Sequence, residues 1–244
     1  MAQHVALVTG GSRGIGAAIV RGLAAKGFTV AVNCLKNTEL AERVLGEIGG
    51  QGAVFQADAR DHGQVAAMVK AVEARLGPVD AAVHNANISF PMGPFWCLPW
   101  DEVRAKLEGE LGAFHALVAA VAPGMVERKR GRIVAVSSSL SRFASDGFGA
   151  HAAAKSALDG AVRVLSREMG PSGVTVNAVA PGLVETDATS RQPQEMKKAV
   201  ALFTPLRRIG QPEDIGSVVA FLCSEEARWV TGQYIPLNGG INTV

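Results

Sequence analysis

Between an apolar run at residues 4–9 and a helical pattern that opens at Gly14, the chain reads Thr9-Gly10-Gly11-Ser12-Arg13-Gly14-Ile15-Gly16. A strand that passes straight into a helix through spaced glycines is the strongest constraint on the fold. Glycine lets the backbone turn tightly there and lets the first N–H groups of the helix approach a pyrophosphate. Glycines also serve ordinary turns, so the trio alone says little. Its place at the first strand-to-helix junction is what points to a dinucleotide site. Gly10, Ser12, Arg13, Gly14, Ile15 and Gly16 are the candidate cofactor-binding residues of this loop.

The remainder alternates short apolar runs with longer helical patterns, the mark of a parallel sheet with crossover helices. The pattern predicts strands at 4–9, 29–33, 53–56, 80–84, 132–137, 174–179 and 234–237, and helices at 14–26, 38–48, 61–76, 100–128, 150–169 and 213–223. Asp61, Asp101 and the Pro212-Glu213 pair are good first-turn residues. Segment 183–210 is polar, holds prolines at 193 and 205, and is expected to form a mobile flap. The expected fold class is α/β, a three-layer Rossmann arrangement with a doubly wound parallel sheet of about seven strands. One domain is expected across residues 1–244.

Composition narrows the function classes. No run reaches the roughly 18 consecutive apolar residues of a membrane span, and the chain enters its first strand at once, so neither membrane nor signal peptide is expected. Cys34, Cys97 and Cys223 are odd in number and widely spaced, which suggests neither a disulfide framework nor a zinc site and fits a reduced, cytoplasmic setting. A net charge of +2 is too weak to argue for nucleic acid.

An acidic residue at the end of the second strand would bind an adenosine ribose and repel a 2′-phosphate. That end reads Val32-Asn33-Cys34-Leu35-Lys36-Asn37, with no acid before Glu39. Arg13 and Lys36 can instead pair with a 2′-phosphate through charge-assisted bonds, which favours NADP(H) over NAD. The plainer alternative is two ordinary surface cations.

The spacing Gly10-x3-Gly14-x-Gly16, then Asn85-Ala86, Ser138, the pair 151/155 and Pro181-Gly182, resembles the short-chain dehydrogenase/reductases, and among them the 3-oxoacyl-(acyl-carrier-protein) reductases and polyketide ketoreductases. The resemblance covers nearly the whole chain; it is specific for fold and nicotinamide site and less so for substrate. It implies that Asp58 contacts adenine, Asn85 and Ala86 flank the cofactor ribose, and Ser138 hydrogen-bonds a substrate carbonyl. Lys155 would hold the nicotinamide ribose and lower the proton donor's pKa, while Pro181, Gly182 and Thr186 border the nicotinamide. Each has a structural alternative: Asp58 can cap a turn, Ser138 can be satisfied by backbone, and Pro-Gly can simply turn the chain. The resemblance further implies a homotetramer or dimer built on the long helices at 100–128 and 150–169. Basic residues near Arg128, Lys129, Arg130 and Arg132 would receive an acidic acyl carrier protein, where a solvated helix end is the alternative. The substrate would be an acyl thioester or a polyketone, and the apolar residues 88–100 either line its pocket or bury in a subunit contact.

Three positions depart from the family pattern. Its tyrosine is His151, which opens the run His151-Ala-Ala-Ala-Lys155 thirteen residues after Ser138. A glycine that passes close to the cofactor is Asn87, in His84-Asn85-Ala86-Asn87. An asparagine of the long helix, counted back from Phe114, falls on Gly109, with Glu110 one residue away as a candidate replacement for the lost proton relay. His84 and His115 read as structural. A tyrosine phenol, with a pKa of about 10, gives its proton after nearby cations lower that value. An imidazolium, with a pKa near about 6.5, is a competent acid, yet Lys155 and an oxidised nicotinamide disfavour that charged form. The leading expectation is a ketoreductase with Ser138, His151 and Lys155 as catalytic residues. A redox-inactive nucleotide-binding or assembly subunit, and a dehydratase, isomerase or cyclase in the same pocket, are the alternatives.

Overall fold

A computed structural model describes residues 4–190 and 192–243. Seven parallel strands form one sheet: β1 (His4–Val8), β2 (Phe28–Cys34), β3 (Gly52–Gln56), β4 (Val79–His84), β5 (Gly131–Val136), β6 (Val174–Pro181) and β7 (Tyr234–Leu237), in the order β3-β2-β1-β4-β5-β6-β7. β2 and β5, for example, are Val- and Ala-rich and buried along their whole length. A parallel sheet covered on both faces demands that pattern.

Helices α1 (Gly14–Ala25), α2 (Thr38–Glu47) and α7 (Pro212–Cys223) cover one face, and α3 (His62–Leu76), α4 (Trp100–Glu127) and α5 (Gly149–Met169) cover the other. Each face has its own apolar core. Ile19, Leu23, Ile215 and Val219 pack against β1 and β2 on the first; Val65, Met68, Phe114, Leu117 and Leu158 pack against β1, β5 and β6 on the second. The Asp61 carboxylate caps α3 by accepting from Gln64 N–H at 3.0 Å, as its first-turn position leads one to expect. Helix α4 is long and apolar enough to cross a membrane by length and composition; here it packs along α5 and the sheet.

One segment differs from the sequence expectation. No helix was expected in 183–210, but α6 (Gln194–Phe203) lies there, with Pro193 at its N-terminal boundary. The segment is pinned at its ends by a parallel bridge between Val184 and Gly210. Lys197 is buried and reaches Glu185 at 2.6 Å. A proline just before a helix costs no hydrogen bond, because the first N–H groups have no partner inside the helix.

The strand order reverses between β1 and β4. The crevice beyond the carboxyl ends of these strands is where ligands enter open parallel sheets; the predicted site residues Gly10–Gly16, Asn85 and Ser138 follow such ends, and Pro181 is the last residue of β6.

Candidate active site

The glycine loop is held by two asparagines from neighbouring strands. Asn33 Oδ1 of β2 accepts from Gly10 N–H at 3.3 Å, while its amide donates to the carbonyls of Phe55 and Ala57. Asn85 donates to the carbonyls of Thr9 and Gly10 at 3.1 and 3.0 Å. The Thr9 hydroxyl accepts from the backbone N–H groups of Asn85 and Ala86. Gly10 has φ +63°, a left-handed conformation that favours glycine. At Gly16 an added Cβ would lie 2.1 Å from the Gly10 carbonyl oxygen. The turn therefore closes tightly enough to bring the backbone of α1 to a phosphate. The residues fit a dinucleotide.

Beside the loop is an open cleft of about 280 Å³, lined by Ser12, Arg13, Gly14, Arg43, Glu185 and Thr186 among others. Arg43 on α2 was not anticipated, since an arginine on an exposed helix reads as solvated. Lys36 lies in the exposed turn after β2 and is not part of this lining. Ile15 packs against the core. Asp58 is engaged by Arg60 at 2.6 Å, and that hydrogen bond holds its carboxyl below the usual range. Thr186 N–H donates to Thr189 Oγ1. Gly182 N–H donates to the Leu237 carbonyl, which ties the Pro181-Gly182 turn to β7.

Ser138 leaves the end of β5 in an extended conformation and caps a short 3-10 turn, its hydroxyl accepting from Leu140 N–H at 3.2 Å. The turn is anchored from outside. The Tyr234 hydroxyl donates to the Ser138 carbonyl at 3.3 Å, and the Ser141 hydroxyl, 2.8 Å from the same carbonyl, shares its one proton between it and Asp159. Asp159 of α5 is buried and takes the hydroxyls of Ser137 and Ser141, each at 2.6 Å. Burial raises the Asp159 carboxyl against those hydrogen bonds. Nothing in the sequence singled out Asp159, although it continues the 151–155 face by one more turn.

His151 and Lys155 sit four residues apart on α5 and are both buried. The Lys155 ammonium donates to the Val136 carbonyl of β5 at 2.7 Å and to Glu110 Oε1 of α4 at 2.6 Å. The helix residue that meets Lys155 is therefore Glu110, not Gly109, where an added Cβ would meet Ile88. Glu110 is wholly buried, and its second oxygen accepts from Lys106 at 2.6 Å. His84 Nε2 stands 3.5 Å from Glu110 Oε1, a long contact, and its Nδ1 lacks a hydrogen-bond partner among the described residues. Burial works to raise the Glu110 carboxyl; Lys155 foremost, with His84 and Lys106, outweighs it and holds the group far below the usual carboxylate range.

The His151 ring is 8% exposed and packs on Phe90 at 4.4 Å between centroids. Burial first, then Lys155 and Lys106, push its pKa down to about 3, with Glu110 opposing. The ring is neutral near pH 7, and Nδ1 is buried without a partner among the described residues. Nε2 is then the nitrogen through which it can act on a ligand. His115 is exposed on α4 with its ring 5.5 Å from that of His62, away from this cluster.

Farther out, Arg128 donates to the Val79 carbonyl and Arg130 lies near Asp80 and Glu225, while Lys129 is exposed with φ +52°. Arg132 is buried and pairs with Glu225 at 3.1 Å. The segment before α4 displays Met92, Phe95 and Trp96, and α4 opens on exposed Trp100, with Trp96 87% exposed.

Known proteins match this chain over nearly its full length. A family model described as enoyl-(acyl carrier protein) reductase matches residues 10–242. Nodulation protein G of Azospirillum brasilense is 38% identical over 249 aligned positions, covering 99% of each chain. The 3-oxoacyl-[acyl-carrier-protein] reductase of Staphylococcus aureus is 36% identical, covering 97% of each chain. That of Pseudomonas aeruginosa is 37% identical, covering 97% of this chain and 96% of its own. With its seven-stranded parallel sheet, its glycine loop at the β1–α1 turn and these relatives, the chain belongs to the short-chain dehydrogenase/reductase family.

Proposed function

We propose that the protein is an NADPH-dependent ketoreductase that converts a 3-oxoacyl thioester, borne on an acyl carrier protein, into the 3-hydroxyacyl product. The observation that carries this reading is the Lys155 ammonium, buried beside His151 and fixed between Glu110 and the end of β5. A residue kept only for folding has little reason to hold a desolvated charge at that point. Relatives named as 3-oxoacyl-[acyl-carrier-protein] reductases supply the substrate class.

The glycine loop, Asn85, Ala86, Pro181, Gly182 and Thr186 would hold the dinucleotide, with Asp58 at the adenine. Arg13, aided by Arg43 or Lys36, would meet the 2′-phosphate. A reduced nicotinamide held by these residues would be the source of the hydride for the carbonyl carbon. Ser138 Oγ–H and His151 Nε2 bind the carbonyl oxygen, and the alkoxide takes its proton from His151. Lys155 places positive charge beside the oxygen as the negative charge develops. Because burial keeps the ring neutral near pH 7, the imidazolium is a minor and strongly acidic form. Turnover by this route rises as pH falls, by up to about tenfold per unit.

Exposed Leu111 and Val126 of α4 and Val164 of α5 serve as subunit contacts in a dimer or tetramer on this reading, in a cytoplasmic enzyme, and Lys129 meets the carrier. The test is anaerobic oxidation of NADPH, against NADH, with a 3-oxoacyl carrier and a short thioester, from pH 5 to 9. A flat profile with hydride transfer fully kept in His151→Ala removes His151 from the reaction. The low proton affinity of His151 also favours a second reading, a nucleotide-binding subunit without redox turnover. No NADPH oxidation at any pH, with NADPH still bound, selects it.

A further inference from the structure

Lys106 is 1% exposed, among the largest wholly buried side chains, and no step of the reaction above uses it. Its ammonium donates to Glu110 Oε2 at 2.6 Å and to the Ile88 carbonyl at 2.9 Å, with Asn87 Oδ1 at 3.5 Å. It also lies 5.3 Å from the centroid of the Phe90 ring. Lys106 thus touches an immediate neighbour of both central residues of α5. Glu110 is the partner of Lys155, and Phe90 is the ring packed on His151.

We propose that Lys106 is a positioning residue for the His151–Lys155 centre: its ammonium fixes Glu110, and so Lys155, while gripping the 87–90 loop that lays Phe90 on the His151 ring. An apolar side chain of equal length would leave Glu110 Oε2 and the Ile88 carbonyl buried without their donor, an arrangement that proteins avoid. The same contact joins two of the departures from the family pattern, Asn87 and Glu110, to the third, His151. The charges facing His151 are Lys155 from its own helix and Lys106 and Glu110 from α4, with neutral Phe90 beside it, itself near Phe148; His84 of β4 faces Glu110. Two ammoniums against one carboxylate leave a surplus positive charge at the centre. Burial lowers the Lys106 pKa as well, and Glu110 partly restores it.

The inference rests on the ketoreductase reading only for what the centre does, so its main test needs no turnover. The ring nitrogens of His151, assigned by comparison with His151→Gln, are titrated by NMR in the full-length protein across the pH range where near-ultraviolet circular dichroism shows it folded. Lys106→Gln keeps a polar head but loses the charge; Lys106→Met loses both; Lys106→Arg restores the cation. The two neutral variants are expected to raise the His151 midpoint by about one unit or more, and the arginine variant to return toward wild type. Phe90→Leu, a loop change that leaves every charge in place, is expected to raise it too by admitting water to the ring. An unchanged His151 midpoint in Lys106→Gln overturns the charge coupling, and an unchanged one in Phe90→Leu overturns the loop half. Where NADPH oxidation is measurable, the pH–rate profile of Lys106→Gln is expected to move up in pH together with the His151 midpoint, by about one unit or more. Wild-type protein with the NMR shifts but no NADPH oxidation defeats the ketoreductase reading and leaves Lys106 in its place.

Discussion

The two ends of the candidate site are built on opposite principles. At the β1–α1 turn, eight consecutive residues and two asparagines make a cradle out of backbone, with hydrogen bonds to carbonyls and N–H groups. Some distance along the same crevice, Lys106, Glu110, His151 and Lys155 come from α4 and α5 and are all buried. The first end depends on a backbone path, the second on charges that balance one another. A local change at the first should stay local, whereas any change at the second should alter its neighbours' protonation.

Glu110→Ala should break this contrast hardest. It strands two buried ammoniums, so an unfolding free-energy loss of about 3–5 kcal/mol is expected in urea titrations. A loss below about 1 kcal/mol would show that the cluster is not compensated as described. The second expectation concerns acid. His151 takes up a proton only near pH 3 in the fold but at about 6.5 when unfolded. The unfolded chain binds more protons between those values, so stability falls as pH drops through them, by at most about 1.4 kcal/mol per unit for this group. His151→Gln should make that acid limb shallower. Only part of it should go, because burial also lowers His84. Parallel stability curves for the two proteins would contradict the assignment.

Gly16→Ala probes the other end. With its Cβ 2.1 Å from the Gly10 carbonyl, it should cost about 1–3 kcal/mol of stability and weaken NADPH binding about tenfold or more. The His151 titration should stay where it was. A shifted midpoint would mean that the two ends are coupled after all. The smallest effect is expected at the surface: Lys129→Glu should raise KM a few-fold for carrier-bound substrate and leave a small thioester unaffected. Equal changes for both substrates would reject carrier docking at that corner.

Much of the architecture was legible in the sequence, for a simple reason. All seven strands are apolar runs set off by glycine or polar turns, and a parallel sheet buried on both faces permits little else. Helix α6 escaped because Pro193 and Pro205 bracket it, and its polar surface reads as loop. At the site, Gly109 and Glu110 differ by one residue, which on a helix is a rotation of about 100°. Counting along the chain could not choose between them; contact with Lys155 does. Lys106 was invisible for a related reason, since a lysine on a helix is ordinarily solvated. Its burial follows from Glu110 and the 87–90 loop, which no local pattern announces.

The chain alone therefore determined the sheet, the cradle and the presence of histidine beside Lys155, because each is written in neighbouring residues or in short, regular spacings. Only the tertiary structure decided the chemistry of that histidine. Its proton affinity is set first by burial beneath Phe90, then by Lys155 on its own helix, which the sequence did show, and by charges 41 and 45 residues away on α4, which it did not. Electrostatic energies depend on distance and dielectric in space, and sequence separation carries neither.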